Sequence, residues 1–462
     1  MSIQHILEIL DRAHQGHLCT EKEWNTKVIP GTISQKLKEH GLQKTFDPQN
    51  IVNTDDKLAD EFFKAGFELA IDMGIFCVDT ERVITVTEDE LRFALRNAPS
   101  EIVLGEGRDR VVMKHRQMED AYPPIVDASL GIVVSEDIWI PLMQGIVENR
   151  EIDVFEGGSL NTIFGHPILG GSPYETLAGR YEAQLKREVL WRAGRPGMCT
   201  DGVISSTTAL GQFGGYGIAG GFDPTKSTAI ILIPNEMTTN YITFNKVIHS
   251  VNCGSRKRLC MASMIGGYPG GAEGVALSQI AGFLLQFAVH EADFAGLDVM
   301  DVRYSGSCGR EGLWSQGIAC QAIGRNTHLL KSFTPNQVAG PCTEMLLYES
   351  AAAMLTLCTS GAEFTVEPRS GGGRYTDYLT PLECKFCAEV YKCSAGMTRK
   401  QANEIVKILI PKYEDRLKSP DKGKSCQECY DLEALKPSQE WLDIYLKVKK
   451  ELIELGVPLL YP

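Results

Sequence analysis

The chain has 462 residues, of which 43% are hydrophobic and 23% charged, so it is long enough for one large α/β barrel or two to three smaller domains. A formal net charge of −13 without any basic run argues against nucleic-acid binding and fits a cationic substrate or a basic partner. Fourteen cysteines and no export signal lead us to expect a reducing, cytoplasmic location, and the most apolar helical stretch, near residues 280–289, looks too short for a membrane span.

Residues 1–122 are polar and rich in helical patterns, and we expect them to form an extension that packs on a larger body. Residues 58–73 have the amphipathic pattern of a helix, which Gly74 ends. Thr87 is followed three residues later by Glu90, and this spacing predicts a capping box at the start of another helix.

Strand and helix patterns alternate through residues 123–395. The candidate strands are residues 125–130, 152–156, 197–200, 229–234, 259–265, 299–304, 333–338 and 364–367. Eight such units over roughly 250 residues predict a (β/α)8 TIM-type barrel. The alternation alone leaves a doubly wound open sheet as the alternative.

Residues 396–462 read as a helical C-terminal extension. Ser438 follows a proline and can cap the last helix, and Gly456 can end it. Apolar residues recur at helical spacing between them, at Trp441, Tyr445, Val448, Leu452 and Leu455. This stripe predicts packing against the barrel or against a neighbouring subunit.

The most informative stretch is GRPGMCTDG, at residues 194–202. Ahead of it, Ser172 and Glu175 predict a capped helix, and the buried face of that helix is predicted from an apolar repeat: Tyr174, Leu177, Tyr181, Leu185 and Val189. A short strand then ends at Asp201, where a parallel αβ unit presents side chains to a ligand. Asp201 is therefore a candidate active-site residue, and capping of the next helix is the simpler alternative. As a residue of the barrel mouth it is expected to support little core packing.

Strand ends supply the other candidates for the site. We take Glu236 and Tyr304 as catalytic candidates beside Asp201, because all three lie at the carboxyl ends of predicted strands. A glycine-rich loop after the fifth strand, with Gly266, Gly267, Gly270 and Gly271 around Tyr268, could receive a large planar ligand close to the backbone. A plain tight turn explains the same glycines.

Metal-binding patterns are weak. Cys384 with Cys387 and Cys426 with Cys429 form two CxxC pairs that could hold structural zinc, but the gap between the pairs is long. No HExxH motif is present and the nine histidines are scattered, so we predict no catalytic metal.

Nearly the whole chain resembles the monomethylamine methyltransferases of methylotrophic methanogens. Besides AGRPGM before Cys199, Thr200 and Asp201, the shared motifs occur in the family's order: FKAGFE at residues 63–68, TEDE at 87–90, SPYE at 172–175, GGY at 266–268, AGPCTEM at 339–345 and QECYD at 427–431. The resemblance implies a barrel that moves a methyl group from an amine to the Co(I) corrinoid of a separate small protein. It also implies a hexamer, no tightly bound cofactor and pyrrolysine at the position of Asp201.

Asp201 cannot form the amine adduct expected of pyrrolysine, and other pocket positions differ too. Ungapped alignment places the family's Gln and Tyr on Thr334 and Asn336, and a family Glu on Cys260. We therefore expect a rebuilt pocket in which Asp201 attracts a cationic, quaternary methylated amine, with Tyr268 and Tyr304 adding cation–π contacts. An O-methyl or S-methyl donor, or a non-catalytic protein that binds the corrinoid protein, are the alternatives.

Overall fold

The computed structural model describes residues 3–129, 131–216 and 220–460. Eight parallel strands close into a barrel in which each strand pairs with its neighbours in sequence, which confirms the predicted (β/α)8 fold. In chain order the strands are β1 (Ile125–Ala128), β2 (Val154–Phe155), β3 (Cys199–Asp201), β4 (Ser227–Leu232), β5 (Arg256–Ile265), β6 (Phe294–Asp301), β7 (Lys331–Phe333) and β8 (Phe364–Val366).

A helix follows each strand. They are α1 (Glu136–Val147), α2 (Pro173–Arg192), α3 (Ala209–Gly215), α4 (Tyr241–Cys253), α5 (Ala272–His290), α6 (Arg310–Asn326), α7 (Glu344–Thr359) and α8 (Pro381–Cys393). Helix α5 is longer than the sequence indicated. Among the described residues it is the one helix long and apolar enough to cross a membrane. However, 94% of its most apolar 18-residue stretch is buried inside the protein.

Each predicted strand overlaps an observed one, but several bounds are wrong, and the seventh prediction shares only Phe333 with β7. Strand β5 begins three residues before the predicted start, and β6 begins five residues before. The charged run Arg256–Lys257–Arg258 hides the start of β5 from an argument based on apolar residues. In the first strand, position 130 lies outside the described residues.

The N-terminal region wraps one side of the barrel and closes its lower end. Its helices are Ile3–Gln15, Glu21–Glu23, Ile29–Glu39, Asp56–Met73 and Glu88–Asn97, and its short strands are His17–Leu18, Ile75–Cys77 and Arg82–Ile84, joined by Thr238–Thr239 from the barrel. A hairpin, Glu101–Leu104 with Val111–Lys114, inserts Ile102, Leu104 and Met113 among the inner residues of the strands. The predicted capping box of Thr87 and Glu90 is present.

The C-terminal region packs on the same barrel. Its helices are Arg399–Leu409, Cys426–Cys429 and Gln439–Glu454, and a short hairpin pairs Tyr430–Asp431 with Lys436–Pro437. Ser438 caps the last helix as predicted, and the ring nitrogen of Trp441 donates to Thr380 at 2.9 Å. The apolar stripe from Trp441 to Leu452 is thus buried by packing within the same chain, and it gives no support for a subunit interface. The domain boundaries at residues 123 and 396 stay a prediction.

Helix α2 buries the predicted face only in its C-terminal half, where Leu185 and Val189 are in the core. Tyr174 and Leu177 are 42% and 59% exposed, and the inward face carries Glu175, Glu182 and Lys186. Ser172 makes no side-chain cap, because the carboxylate of Glu175 instead accepts hydrogen bonds from the loop that follows β3. The helix is polar inside because it supports that loop.

Candidate active site

The floor of the barrel cavity is an ion cluster around one guanidinium. The Nη1 atom of Arg258 lies 2.6 Å from Asp201 Oδ2, 3.2 Å from Glu156 Oε2 and 3.6 Å from Asp127 Oδ2. All four side chains are buried, and Asp201 has no accessible surface. Asp201 therefore faces the interior as predicted, but it is held in an ion pair and is not an open mouth residue.

Strand alternation brings these groups together. Asp127 is the third residue of β1, Glu156 follows β2 directly, Asp201 ends β3 and Arg258 is the third residue of β5. Successive side chains of a strand point to opposite faces. Asp127, Glu156, Asp201 and Arg258 all fall on the inner face of their strands, so the four charged groups meet inside the barrel.

A second buried pair fixes the end of β3. Lys186 and Glu182 on α2 lie 2.9 Å apart with no exposed surface. The ammonium of Lys186 donates to the carbonyl oxygens of Asp201 and Gly202, at 2.8 and 3.0 Å. Glu182 accepts the backbone amides of residues 204 and 205. The polar face of α2 thus sets the backbone position from which Asp201 reaches Arg258.

Three carboxylates share one arginine, so the cluster holds more negative than positive charge. Burial, and then the neighbouring Asp201 and Glu156, raise the pKa of Asp127 well above its usual value. Burial raises the pKa of Glu156 to about 7, against the opposing effect of Arg258. Near neutral pH the cluster therefore holds at least one proton.

The same carboxylates are the one group of three or more potential metal ligands close together in the described part of the chain, with oxygens within 4.8 Å of one another. Arg258 Nη1 contacts all three of them, so a cation already sits where an ion would bind. The four cysteines of the two CxxC motifs form no such group among the described residues. The absence of a catalytic metal stays a prediction.

Above the floor, the inner faces of β4, β5 and β6 line a more open cavity. Leu232 and Met264 are 64% and 39% exposed there, and Asp298 retains part of its surface. Burial raises the pKa of Asp298 to about 6, and Arg258 opposes the shift. This cavity has mostly apolar walls and one carboxylate.

The three substrate-binding candidates lie beside this cavity. Thr334 Oγ1 is 3.5 Å from Arg258 Nη2, and Cys260 is two residues after Arg258 on the same inner face. Asn336 donates to the carbonyls of Val299 and Thr334, and its own oxygen accepts from Arg369 at 2.8 Å. Asn336 is thus already committed to neighbouring groups.

The other predicted site residues have different surroundings. Glu236 is buried, its Oε1 accepts the amide of Met264 at 2.9 Å, and burial raises its pKa. Tyr304 packs against the main hydrophobic core, and its carbonyl accepts from Arg374. Tyr268 is 41% exposed on its loop. Neither tyrosine has a described contact with the ion cluster.

The glycine-rich loop is a tight turn closed by its own backbone. The amide of Gly266 donates to Gly270, that of Gly267 to Met264 and that of Gly270 to Gly267. Three of the four glycine amides are therefore hydrogen-bonded within the turn, as the alternative of a plain tight turn expects. Positive φ angles at Gly266 and Gly270 explain why glycine stands at those two positions.

Sequence reasoning missed Arg258, Asp127 and Asp298. Asp127 and Asp298 lie inside strands, whereas only residues after strand ends were considered. Arg258 was assigned to the loop before β5. Its spacing of two from Cys260 was the available signal, because it places both side chains on one face of a strand.

A closed (β/α)8 barrel with ionisable groups at the carboxyl ends of its strands is the architecture of an enzyme. The chain belongs to the monomethylamine methyltransferase MtmB family, whose model matches residues 4–457, and it is a methyltransferase. Monomethylamine methyltransferase MtmB of Methanosarcina mazei is 31% identical over 451 residues, and MtmB2 of Methanosarcina barkeri strain Fusaro is 32% identical, each match covering 97% of both chains. The crystal structure of Methanosarcina barkeri MtmB superposes with a TM-score of 0.94 at 30% identity, covering 98% of both chains, and the hydroxylamine complex of MtmB has the same TM-score.

Proposed function

We propose that this protein moves a methyl group from a small quaternary methylated amine to the Co(I) corrinoid of a separate small protein in the cytoplasm. The names of its relatives support methylamine chemistry. In our alignment Asp201 stands at the pyrrolysine position, so the proposal does not use that residue. The chain itself binds no cofactor tightly, and the partner supplies the cobalt nucleophile.

The observation that carries the proposal is the charge of the barrel interior. Asp127, Glu156, Asp201 and Asp298 are all within or just above the floor, and among the described residues Arg258 is the one cation that pairs with the first three. The floor keeps at least one proton near neutral pH and Arg258 offsets part of the rest, so Asp298 supplies much of the excess negative charge, which attracts a cation. The apolar walls of the cavity suit the methyl groups of a quaternary ammonium.

A quaternary ammonium also suits the chemistry of the transfer. Its nitrogen leaves as a neutral amine without prior activation, so the protein needs to supply position and a dry environment more than a proton. Holding the methyl group in line with the incoming nucleophile accounts for much of the rate in such displacements. Leu232 and Met264 are placed to orient the methyl groups, and the turn at Gly266 to Gly271 is our candidate for the surface that faces the corrinoid.

The test is anaerobic mixing of this protein with its cognate corrinoid protein in the Co(I) state. Methylated amines, from monomethylamine to tetramethylammonium and N-methylated amino acids, are added one at a time, and loss of the Co(I) absorbance is followed. We expect turnover with a permanently charged donor and none without this chain. Turnover with monomethylamine alone contradicts the quaternary assignment, and no turnover with any amine contradicts the proposal.

An O-methyl or S-methyl donor is the second candidate, and one observation favours it. With a pKa of about 7, Glu156 retains a proton near neutral pH, which is what a departing alkoxide or thiolate needs. If this candidate is correct, methyl ethers or thioethers react, the rate falls as the pH rises above about 7, and Glu156→Gln abolishes it. A quaternary amine donor needs no such proton.

A further inference from the structure

Three aspartates face the barrel interior, and two of them, Asp201 and Asp298, differ in their surroundings. Asp201 has no accessible surface and gives one oxygen to Arg258 at 2.6 Å. Asp298, on β6, is partly accessible and has no ion-pair partner within 4.0 Å among the described residues. Its Oδ1 is buried without a hydrogen-bond partner there. Thr334 hydrogen-bonds the Asp298 carboxylate, and Asp201 also has one oxygen without a partner, so the difference between the two aspartates is the accessibility of Asp298 and its lack of an ion pair. Asp298 can therefore meet a cation without breaking an ion pair.

The register of three strands places Asp298 in the wall of the upper cavity. Ala262 is paired with Asp298, and Met264 with Met300, on β5 and β6. On the other side, Leu232 of β4 is paired with Cys260. The inward residues of these paired positions differ in accessibility. Besides Asp298 and Cys260 they are Leu232, Ala262, Met264 and Met300, whose side chains are aliphatic or thioether groups.

We propose that Asp298 is the carboxylate that contacts the substrate ammonium, and that Asp201 is a positioning residue that holds Arg258. This inference rests on the proposed function, since it names the group that binds the cation of that reaction. An apolar cup with a single free carboxylate binds a methylated ammonium through its charge and through the packing of its methyl groups. The thiol of Cys260 lies on the floor side of this cup.

Charged groups on neighbouring strands surround Asp298 and keep it titratable. Burial disfavours the ionised form, whereas Arg258 on β5, hydrogen bonds from Thr334 and Arg369 after β8 favour it. Cys260 on β5 interacts with Asp298, and burial keeps its thiol neutral because it raises the pKa. With the pKa of Asp298 at about 6, the carboxylate becomes ionised as the pH rises from 5 to 7.

The experiment measures binding of tetramethylammonium to the full-length protein by titration calorimetry, with no corrinoid protein present. We compare the wild type with Asp298→Asn, Asp201→Asn and the matched control Asp293→Asn. Asp293 precedes β6 at the opposite end of the barrel and pairs there with Arg256 and Lys257. Thermal unfolding of each variant shows whether it is folded.

We expect Asp298→Asn to weaken binding by about tenfold or more, and Asp293→Asn to leave it unchanged. The wild-type affinity rises about tenfold between pH 5 and 7, as the ionised fraction does for a pKa of about 6, and this rise disappears in Asp298→Asn. Asp298→Glu restores part of the affinity, and Asp201→Asn lowers the unfolding temperature more than the affinity.

Equal binding by the wild type and Asp298→Asn overturns the inference, and so does a larger loss of affinity in Asp201→Asn. Failure of the wild type to bind tetramethylammonium overturns it as well. The proposed function is judged separately by cobalt methylation, so it survives if methylated amines react while Asp298→Asn binds and reacts like the wild type.

Discussion

The ion cluster on the barrel floor makes a quantitative prediction about Arg258. In Arg258→Met the side chain keeps much of its length but loses its charge, so Asp127, Glu156 and Asp201 remain buried without a cation. Removing one partner of a buried ion pair typically costs about 3–5 kcal/mol. We expect a loss of stability in this range at pH 7.5.

The distances give a similar magnitude. Carboxylate oxygens of the three residues lie within 4.8 Å of one another, and two unit charges at that separation repel by about 3.5 kcal/mol at an effective dielectric constant of about 20. Proton uptake limits the cost, because a carboxyl group with a raised pKa becomes neutral. Its folded-state pKa exceeds the unfolded value, so the variant is least impaired below about pH 4.5 and loses stability as the pH rises through about 7.

The assay is thermal unfolding between pH 5 and 8. With an unfolding entropy of about 2.1 cal/mol/K per residue, a chain of 462 residues shifts by about 1 °C per kcal/mol, so a decrease of about 3–5 °C is expected at pH 7.5. Arg256→Met is the matched control, since its partly exposed pair with Asp293 contributes little. If Arg258→Met unfolds at the wild-type temperature, or if its deficit shrinks as the pH rises, the electrostatic account is wrong.

Further outcomes follow from neighbouring contacts. Lys186→Met should slow methyl transfer and lower the unfolding temperature by a few degrees. Glu182 loses its buried partner, and the carbonyl of Asp201 at the end of β3 loses its hydrogen bond. Wild-type kinetics would contradict this. Burial raises the pKa of Glu349 from 4.5 to about 8, so stability should fall as the pH rises from about 4.5 to about 8 and fall less in Glu349→Gln, as followed by denaturant unfolding. Elemental analysis should find no stoichiometric zinc, and a chelator should leave activity unchanged. Sedimentation should show a homo-oligomer, by resemblance a hexamer, and a stable monomer at micromolar concentration would refute this.

The fold was predictable because its signal is spread over many residues. Eight apolar segments separated by helical patterns identify a barrel even when individual ends are misplaced, as they are for β5 and β6. The C-terminal helix was also predictable, since its stripe from Trp441 to Leu452 is buried as expected. Whether that stripe met the same barrel or another subunit depended on tertiary contacts that no local pattern contains.

The site was only partly predictable, because its charges pair across strands that are distant in sequence. Asp201 and Arg258 are 57 residues apart, and no local pattern in either segment indicates that the two side chains pair. The buried face of helix α2 was only partly predicted for a related reason. It is polar where Glu175, Glu182 and Lys186 bind the end of β3 and the loop after it, so an argument from apolar periodicity found Leu185 and Val189 but missed those three residues.

The ion pair of Asp201 also bears on how an anionic pocket can assist a reaction that consumes positive charge. Methyl transfer neutralises a quaternary ammonium, so a carboxylate in contact with nitrogen stabilises the bound substrate more than the transition state. Arg258 withdraws Asp201 from that contact. On our proposal Asp298 alone contacts the ammonium, so the penalty comes from one carboxylate and not from the whole cluster. A pocket arranged in this way concentrates a cationic donor while limiting the penalty on its reaction.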